Sequence, residues 1–437
     1  MAAPAAAPQR VPRPLEQRAV SHKRRHLCVT PLDRLEVGEM DELLQNALGL
    51  LQQATNQGQV AVAQNLAQLS GQLIDAVEEK TTMDVEAELP KRVFRTAQEY
   101  RRMLTLQGAM QILRGHEGSF HDWFNLSLDQ FNQLLAMDLL GNQPFHIEKR
   151  GTLPVTGALL LLLGRLRAGE ASLSAFSDNW GIDAAFVSAF FHAVCDRFLL
   201  LHGHRIDHAN MLHMYGARLP VYREGMRQIY AKGLGELAVP DLPMYFRDCC
   251  FAMDGMRVHI CRPTDQQEVF YNGYVGYHNI GFIGIVAPDG MMVALTKGDA
   301  GHKNDPQMVL DNDLDFHLFA AAPPGAVAGK ALADAAFGRT AWVAPLPKRN
   351  AQDYATLGPS RRAALSATRV IVEWAFGEIR MTFPYIELLL RMKVFGTRPA
   401  KVVRVAAIMR NVLRTMRGTN ASTYSGIAPP SVAEYLA

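Results

Sequence analysis

A chain of 437 residues is long enough for two or three domains, since domains run to roughly 150 residues each. Its 45 Lys and Arg against 42 Asp and Glu leave a formal charge of +3, and 49% of its residues are apolar, ordinary for a globular protein with a real core. The longest apolar run, around 154–164, is shorter than the ~20 residues a membrane span needs; the first residues lack the apolar core of a secretory signal; and five cysteines without a C-x-x-C pair exclude a disulfide scaffold or zinc finger and indicate a reducing compartment.

Residues 1–35, rich in Pro and Arg with a basic cluster His22–His26, read as a disordered basic arm. The cluster is either a short nuclear-import signal or a solvated tail. Between residues 36 and 88 ten acidic residues face one basic, Lys80, and leucines at helical spacing predict an acidic amphipathic helical module over 36–90. A second helical stretch, broken near 115–118, runs to about 140; its last helix is capped at Asn125 or Ser127 and carries Phe131, Leu134 and Leu135 on one face. An apolar helix at 155–167, a short helix at 172–179 and a helix from Ala184 to about Leu200 capped by Asp183 form a helix-turn-helix-like unit (155–200) within a helical domain, 91–245. The third helix of that unit carries little basic charge, whereas a helix that reads bases presents Arg, Lys, Asn or Gln. Packing therefore stands ahead of base reading there.

After about Asp248 the apolar period changes. Segments 249–260, 277–287 and 291–298 read as strands, the last two a hairpin around Pro288-Asp289-Gly290. A low-complexity stretch at 320–330 leads to a strand at 330–338, and helices follow at 361–381 and 398–417. This predicts an α/β domain over 246–417 after an all-helical region, with a flexible tail at 418–437. From Lys348 to Arg417 fourteen basic residues meet four acids, Asp353, Glu373, Glu378 and Glu387. Charge so concentrated suits a face that binds a polyanion, with a solvated helix face as the plainer reading.

Three acids sit in apolar surroundings. Asp254 interrupts a strand, Asp334 closes another, and Glu373 lies in the most apolar part of its helix. Each has a structural explanation: Asp-Gly is a common turn, Asp334 can cap a helix, and Glu373 can pair with Arg369 one turn earlier. If the three converge, their repulsion demands cations, since two like charges about 4 Å apart repel by roughly 4 kcal/mol at an effective dielectric near 20. Hard divalent ions with oxygen ligands, Mg²⁺ or Mn²⁺, answer that demand, and a pair of them can cleave and transfer phosphodiesters.

The stretches MDGMRVHI (253–260), GYHNIGFIGIVAPDG (276–290), GDAGHKNDPQMVL (298–310), LADAAFG (332–338) and RVIVEWAFGEIRMTF (369–383) occur in the order found in Harbinger-type transposases, including the plant-transposon-protein branch. Residues 169–198 resemble that family's helix-turn-helix region, and the similarity spans about 120–417. The resemblance implies an RNase H-like nuclease fold with two metal ions held by Asp254, Asp334 and Glu373. It also implies a DNA substrate (terminal inverted repeats in a mobile element), action in the nucleus, a Myb-like DNA-binding partner and a homo-oligomer, with no membrane role. In this reading Asp305 is an accessory ligand or a helix cap, Arg369 and Arg380 contact the DNA phosphate or lock the helix, and Arg361, Arg362, Lys393, Lys401 and Arg404 contact DNA. His278 and His302 either touch phosphate or hydrogen-bond loop backbone, and Asp289 and Asp299 are turn residues. The sequence departs from the family after the second aspartate, where Ala335-Ala336-Phe337 replaces the usual small residue, glycine and aromatic. A domesticated, inactive relative that only binds DNA or chromatin is the rival, and an unrelated phosphate-ester hydrolase is a third reading.

Overall fold

The computed structural model of the protein describes residues 119–436 apart from 170–171, 181, 211–213, 236–242, 244–245, 315–328, 389–391 and 395. The expected basic arm, the acidic module and the first part of the second helical stretch lie outside these residues, as do Gly181 and most of the low-complexity segment.

The helical part contains α1 (Ser119–Phe124), α2 (Leu128–Ala136), a hairpin of β1 (Phe145–Ile147) and β2 (Gly151–Leu153), α3 (Val155–Arg167), α4 (Leu173–Trp180), α5 (Ala184–His202) and α6 (Leu219–Leu234). The sheet region follows with β3 (Cys249–His259), α7 (Gln267–Phe270), β4 (Tyr271–Asn272), β5 (Tyr277–Val286), β6 (Met292–Leu295), β7 (Asp299–Ala300), α8 (Asp305–Asp311), β8 (Lys330–Ala333) and β9 (Val343–Pro345). The chain closes with α9 (Gln352–Thr382), α10 (Pro399–Arg417), α11 (Asn420–Ser425) and α12 (Val432–Leu436).

Local chemistry sets the helix starts. Ser127 accepts from Gln130 N while Gln130 Oε1 accepts from Ser127 N, a reciprocal cap for α2. Asp183 accepts from Ala185 and Phe186 N at 2.9 and 3.0 Å and starts α5. Helix α3 is buried along its whole run from Gly157 to Leu166, so the helical region packs around it. Gly164 lets Trp180 lie against it, since a Cβ there would come within 2.9 Å of the indole. Helix α5 turns Phe186, Phe190, Phe191, Val194 and Phe198 into the core against α3, α4 and α10. Among the described residues, 184–206 is the stretch long and apolar enough to cross a membrane, yet those aromatics are committed to helix packing. The single arginine of α5, Arg197, donates to the carbonyls of Gln143 and Pro144 and lies over the Phe145 ring. This helix fastens the hairpin, and its arginine is spent on that contact.

The seven-stranded sheet has the order β4-β5-β3-β8-β9, with β6 and β7 also pairing with β5. Strand β3 is central, antiparallel to β5 and parallel to β8, and β8 is parallel to β9. Alternation along β3 divides the core. Ala252, Met256 and Val258 join the large core built with Ile371, Val372, Ala375 and Ile379 of α9. Phe251 and Met253 join a second core with Tyr222 of α6 and Met308 of α8. The β5–β6 hairpin forms as expected, with Gly290 at φ +83 and Asp289 Oδ1 accepting from Met291 N.

Two sequence expectations change. Residues 418–436 are no flexible tail: Tyr435 is buried, and Arg205 donates to the carbonyls of Tyr435 and Leu436. The "basic" helix α10 is mainly a core helix, buried at every position from Val402 to Leu413. Its Arg410 is paired with Glu378 of α9, and the same glutamate takes Arg414 at 3.2 Å. A fully buried guanidinium must be compensated, and Glu378 with the Gly290 carbonyl supplies that compensation.

Candidate active site

Asp254 stands on the α9 face of β3, with Gly284 of β5 as its cross-strand partner. That glycine is required by packing: a Cβ there would lie 2.5 Å from the Phe376 ring of α9. The helix therefore comes close to the sheet beside Asp254. From it Arg369 reaches down and donates Nη1 to Asp254 Oδ2 at 2.5 Å, while Nη2 donates to Glu373 Oε1 one turn further along. One guanidinium thus bridges two of the three acids singled out in the sequence. Arg369 is 15% exposed, Asp254 22% and Glu373 48%, so the bridge runs from the sheet surface to solvent. Burial raises the Asp254 carboxyl above its ordinary range, opposed by Arg369 and the Gly255 N–H and reinforced by the charge of Asp305. Among the described residues the buried Nε of Arg369 has no hydrogen-bond partner.

Asp334 directly follows β8. The β3–β8 register pairs Ala252 with Leu332. Continued by two residues, it sets Asp334 alongside Asp254 in the neighbouring strand line. Its carboxylate accepts from Ala335 N at 2.7 Å and its carbonyl from Phe337 N at 3.1 Å, so the residue opens a tight turn. Among the described residues no hydrogen bond or ion pair joins Asp334 to Asp254, Glu373 or Arg369. The structure therefore brings Asp254 and Glu373 together and holds Asp334 one strand away.

Asp305 does not belong to this group. It lies against Gly255, whose hypothetical Cβ would be 2.4 Å from Asp305 Oδ2, and it pairs with Arg257 at 2.5 Å. Gly255 and Arg257 alternate with Asp254, so Asp305 is on the opposite face of the sheet. The accessory-ligand expectation fails for that reason, and the cap of α8 is Asn304, which accepts from Gln307 N. His302 bonds the Val269 carbonyl, and Asp299 holds Lys303 and Asn312.

The expected DNA-contacting residues divide into two sets. Arg361 is exposed, Arg362 stacks on Tyr354 and donates to its carbonyl, and Arg380 is tied to Glu387 and to the Arg257 carbonyl. Lys393 is exposed, Lys401 pairs with Asp196, and Arg404 is buried with a bond to the Gly203 carbonyl. Part of the basic charge of 348–417 is thus consumed internally by acids, through Arg369, Arg410 and Arg414. Arg417 also bonds the Asn125 carbonyl and Gln130. The charge count alone missed Glu378 as the buried glutamate of α9; its position facing Arg410 needed the fold.

Carboxylates suit a hard divalent ion in kind, and Asp254 and Glu373 already share one cation. That cation is Arg369. Among the described residues no group of three His, Cys, Asp or Glu side chains is arranged to hold a metal. A divalent ion fits here only where the guanidinium gives way.

The comparison with protein families bears on this geometry. Residues 253–411 match the family model of the DDE superfamily endonuclease. The matching segment opens at the residue before Asp254, contains Asp334, Arg369 and Glu373, and ends on α10. No curated protein and no solved structure matches the chain. The similarity is that of a DDE-type, transposase-like nuclease segment.

Proposed function

We propose that this chain acts on DNA as a DDE-type endonuclease, with Asp254, Asp334 and Glu373 as its carboxylates. The observation that carries the reading is the bridge Asp254–Arg369–Glu373 within the segment similar to such endonucleases. The strand order, with an antiparallel β6-β5-β3 side and a parallel β3-β8-β9 side followed by α9, supports an RNase H-like core. Two divalent ions, Mg²⁺ or Mn²⁺, would be held by these acids and would supply an activated oxygen nucleophile and charge neutralisation at the phosphodiester.

The chain's own residues have definable tasks. Packing of Phe376 on Gly284 fixes the distance between α9 and β3 and hence between Glu373 and Asp254. Arg369 aligns the two acids through its two terminal nitrogens. Arg361 precedes Arg369 by eight residues, about 12 Å along the same helix, and its exposed side chain can hold a substrate phosphate. The Harbinger-type assignment, action in the nucleus, a Myb-like partner and a homo-oligomeric assembly belong to the same proposal and rest on the sequence resemblance.

A plasmid-nicking assay in Mn²⁺ tests this reading. The wild type should nick, and Asp254→Asn and Glu373→Gln should each abolish nicking; undiminished cleavage by either variant refutes the assignment. A second reading, a DNA-binding protein without cleavage, is favoured by the guanidinium seated between the acids and by the altered turn after Asp334. It predicts duplex binding by the wild type with no nicking in any divalent ion.

A further inference from the structure

A second cationic feature lies outside the carboxylate site, between α5 and the start of α10. A cavity of about 400 Å³ is lined there by Leu199, His204, Asp207, Lys297, Lys401 and Arg404, among others. Its volume is within the ~300–1,000 Å³ range of ligand sites. Three permanent cations face it against one lining carboxylate, Asp207. They come from separate parts of the chain: Lys297 from the turn after β6, Lys401 and Arg404 from α10. A merely solvated helix face would not gather them around a concavity.

Arg404 is the least solvated of the three, at 8% exposure, and its described bond is to the Gly203 carbonyl at 3.2 Å. A guanidinium has five donors. Burying one so deeply is costly unless an anion accompanies it, and the charge acting on it is that of Asp207. Helix α10 runs for 19 residues, and its start at Arg398 has no side-chain cap; Ala400 and Lys401 of this first turn line the cavity. The positive end of the helix dipole therefore adds to the same field.

Lys401 of the lining, together with Arg398 at the start of α10, pairs with Asp196 of α5. These pairs are about half exposed, so a stronger anion can displace the carboxylate at little cost. We propose that this cavity is a phosphate-binding pocket for the nucleic-acid backbone, with Asp196 as the acid that occupies Lys401 and Arg398 until a phosphate arrives. The proposal rests on the reading that the chain acts on DNA, and it adds a contact surface independent of the carboxylates.

Fluorescence anisotropy with a labelled duplex, in EDTA so that no cleavage occurs, provides the test. The full chain is compared with Lys297→Ala/Lys401→Ala and with Asp196→Asn across a salt series. Each phosphate contact contributes about 0.9 to the slope of log affinity against log salt for duplex DNA. The double variant should bind more weakly, with a slope smaller by up to about 1.8. Asp196→Asn should bind more tightly and with a steeper slope, an effect that loss of a structural ion pair would not produce. Inorganic phosphate at constant ionic strength should compete with duplex for the wild type and much less for the double variant.

Unchanged affinity and slope in both variants, with a wild type that binds duplex, overturns the pocket and leaves the endonuclease reading intact. A wild type stabilised against heat by inorganic phosphate, but with duplex affinity indifferent to the two lysines, assigns the cavity to free phosphate and also overturns it. Failure of the wild type to bind duplex at all removes the underlying reading, and the pocket with it.

Discussion

Replacing Arg369 with methionine tests the central feature of the site. The substitution keeps most of the side-chain length and removes the cation between Asp254 and Glu373. Two ion pairs are lost. The pair with Glu373 involves a carboxylate 48% exposed, and such pairs are worth about 0–1 kcal/mol. The pair with Asp254 is better shielded, at 15% and 22% exposure, and falls between that surface value and the roughly 3–5 kcal/mol seen when a fully buried pair is broken. A net loss of about 1–3 kcal/mol follows, equivalent to a few degrees in Tm for a unit of this size. Divalent ions should reverse the ranking. In the wild type an incoming ion must displace the guanidinium; in the variant it meets two uncompensated carboxylates. Each tenfold gain in affinity adds about 1.4 kcal/mol of stabilisation at saturating ion. Differential scanning calorimetry with and without Mn²⁺, beside calorimetric titration of Mn²⁺, gives both quantities. If the variant is as stable as the wild type without metal, or if Mn²⁺ stabilises both equally, Arg369 does not occupy the cation position between these acids.

Arg410→Met should cost about 3–5 kcal/mol in chemical denaturation, because it leaves Glu378 buried beside Arg414 alone; a loss under 1 kcal/mol would contradict the buried pairing. Gly284→Ala drives a methyl into the Phe376 ring and should destabilise by about 1–3 kcal/mol, with nicking reduced further as Glu373 moves from Asp254; unaltered melting would show that α9 yields freely. Asp289 is fully buried, and burial raises its carboxyl above the ordinary 3.8. Between 3.8 and that higher folded-state value the unfolded chain has released a proton that the folded chain retains, so this group's contribution is full in acid and declines as pH rises through the window. Asp289→Asn should flatten the stability profile over that interval; an unchanged slope refutes the assignment. Arg361→Ala should weaken duplex binding without moving the melting temperature, measured by anisotropy and circular dichroism, and a parallel fall in stability would mark the residue as structural.

Much of the fold was legible because local signals agreed. Period-two apolar runs located β3, β5 and β6, Pro288-Asp289-Gly290 located their turn, and Asp183 located the start of α5. Asp254 and Glu373 stood out because each interrupts an apolar segment, and their meeting through Arg369 matches the helical spacing of 369 and 373 joined to a contact across 115 residues. What sequence could not carry was the side of an element on which a residue lies. Asp305 resembled a ligand by proximity to the motif, but the parity of Gly255 and Arg257 along β3 puts it on the other face. The arginines of α10 looked like a cationic surface because charge was counted along the chain, whereas Arg410 points inward to a glutamate 32 residues away. The hairpin of β1 and β2 was missed altogether: three-residue strands are too short for alternation to register.

The two aspartates are mounted differently. Asp254 sits mid-strand within the ladder to β5, whereas Asp334 has just left its ladder and is oriented by the turn through Ala335 and Ala336. The direction of the Asp334 carboxylate is therefore set by the turn rather than by the sheet, and a substitution at Ala335 or Ala336 re-aims it while every strand pairing stays in place.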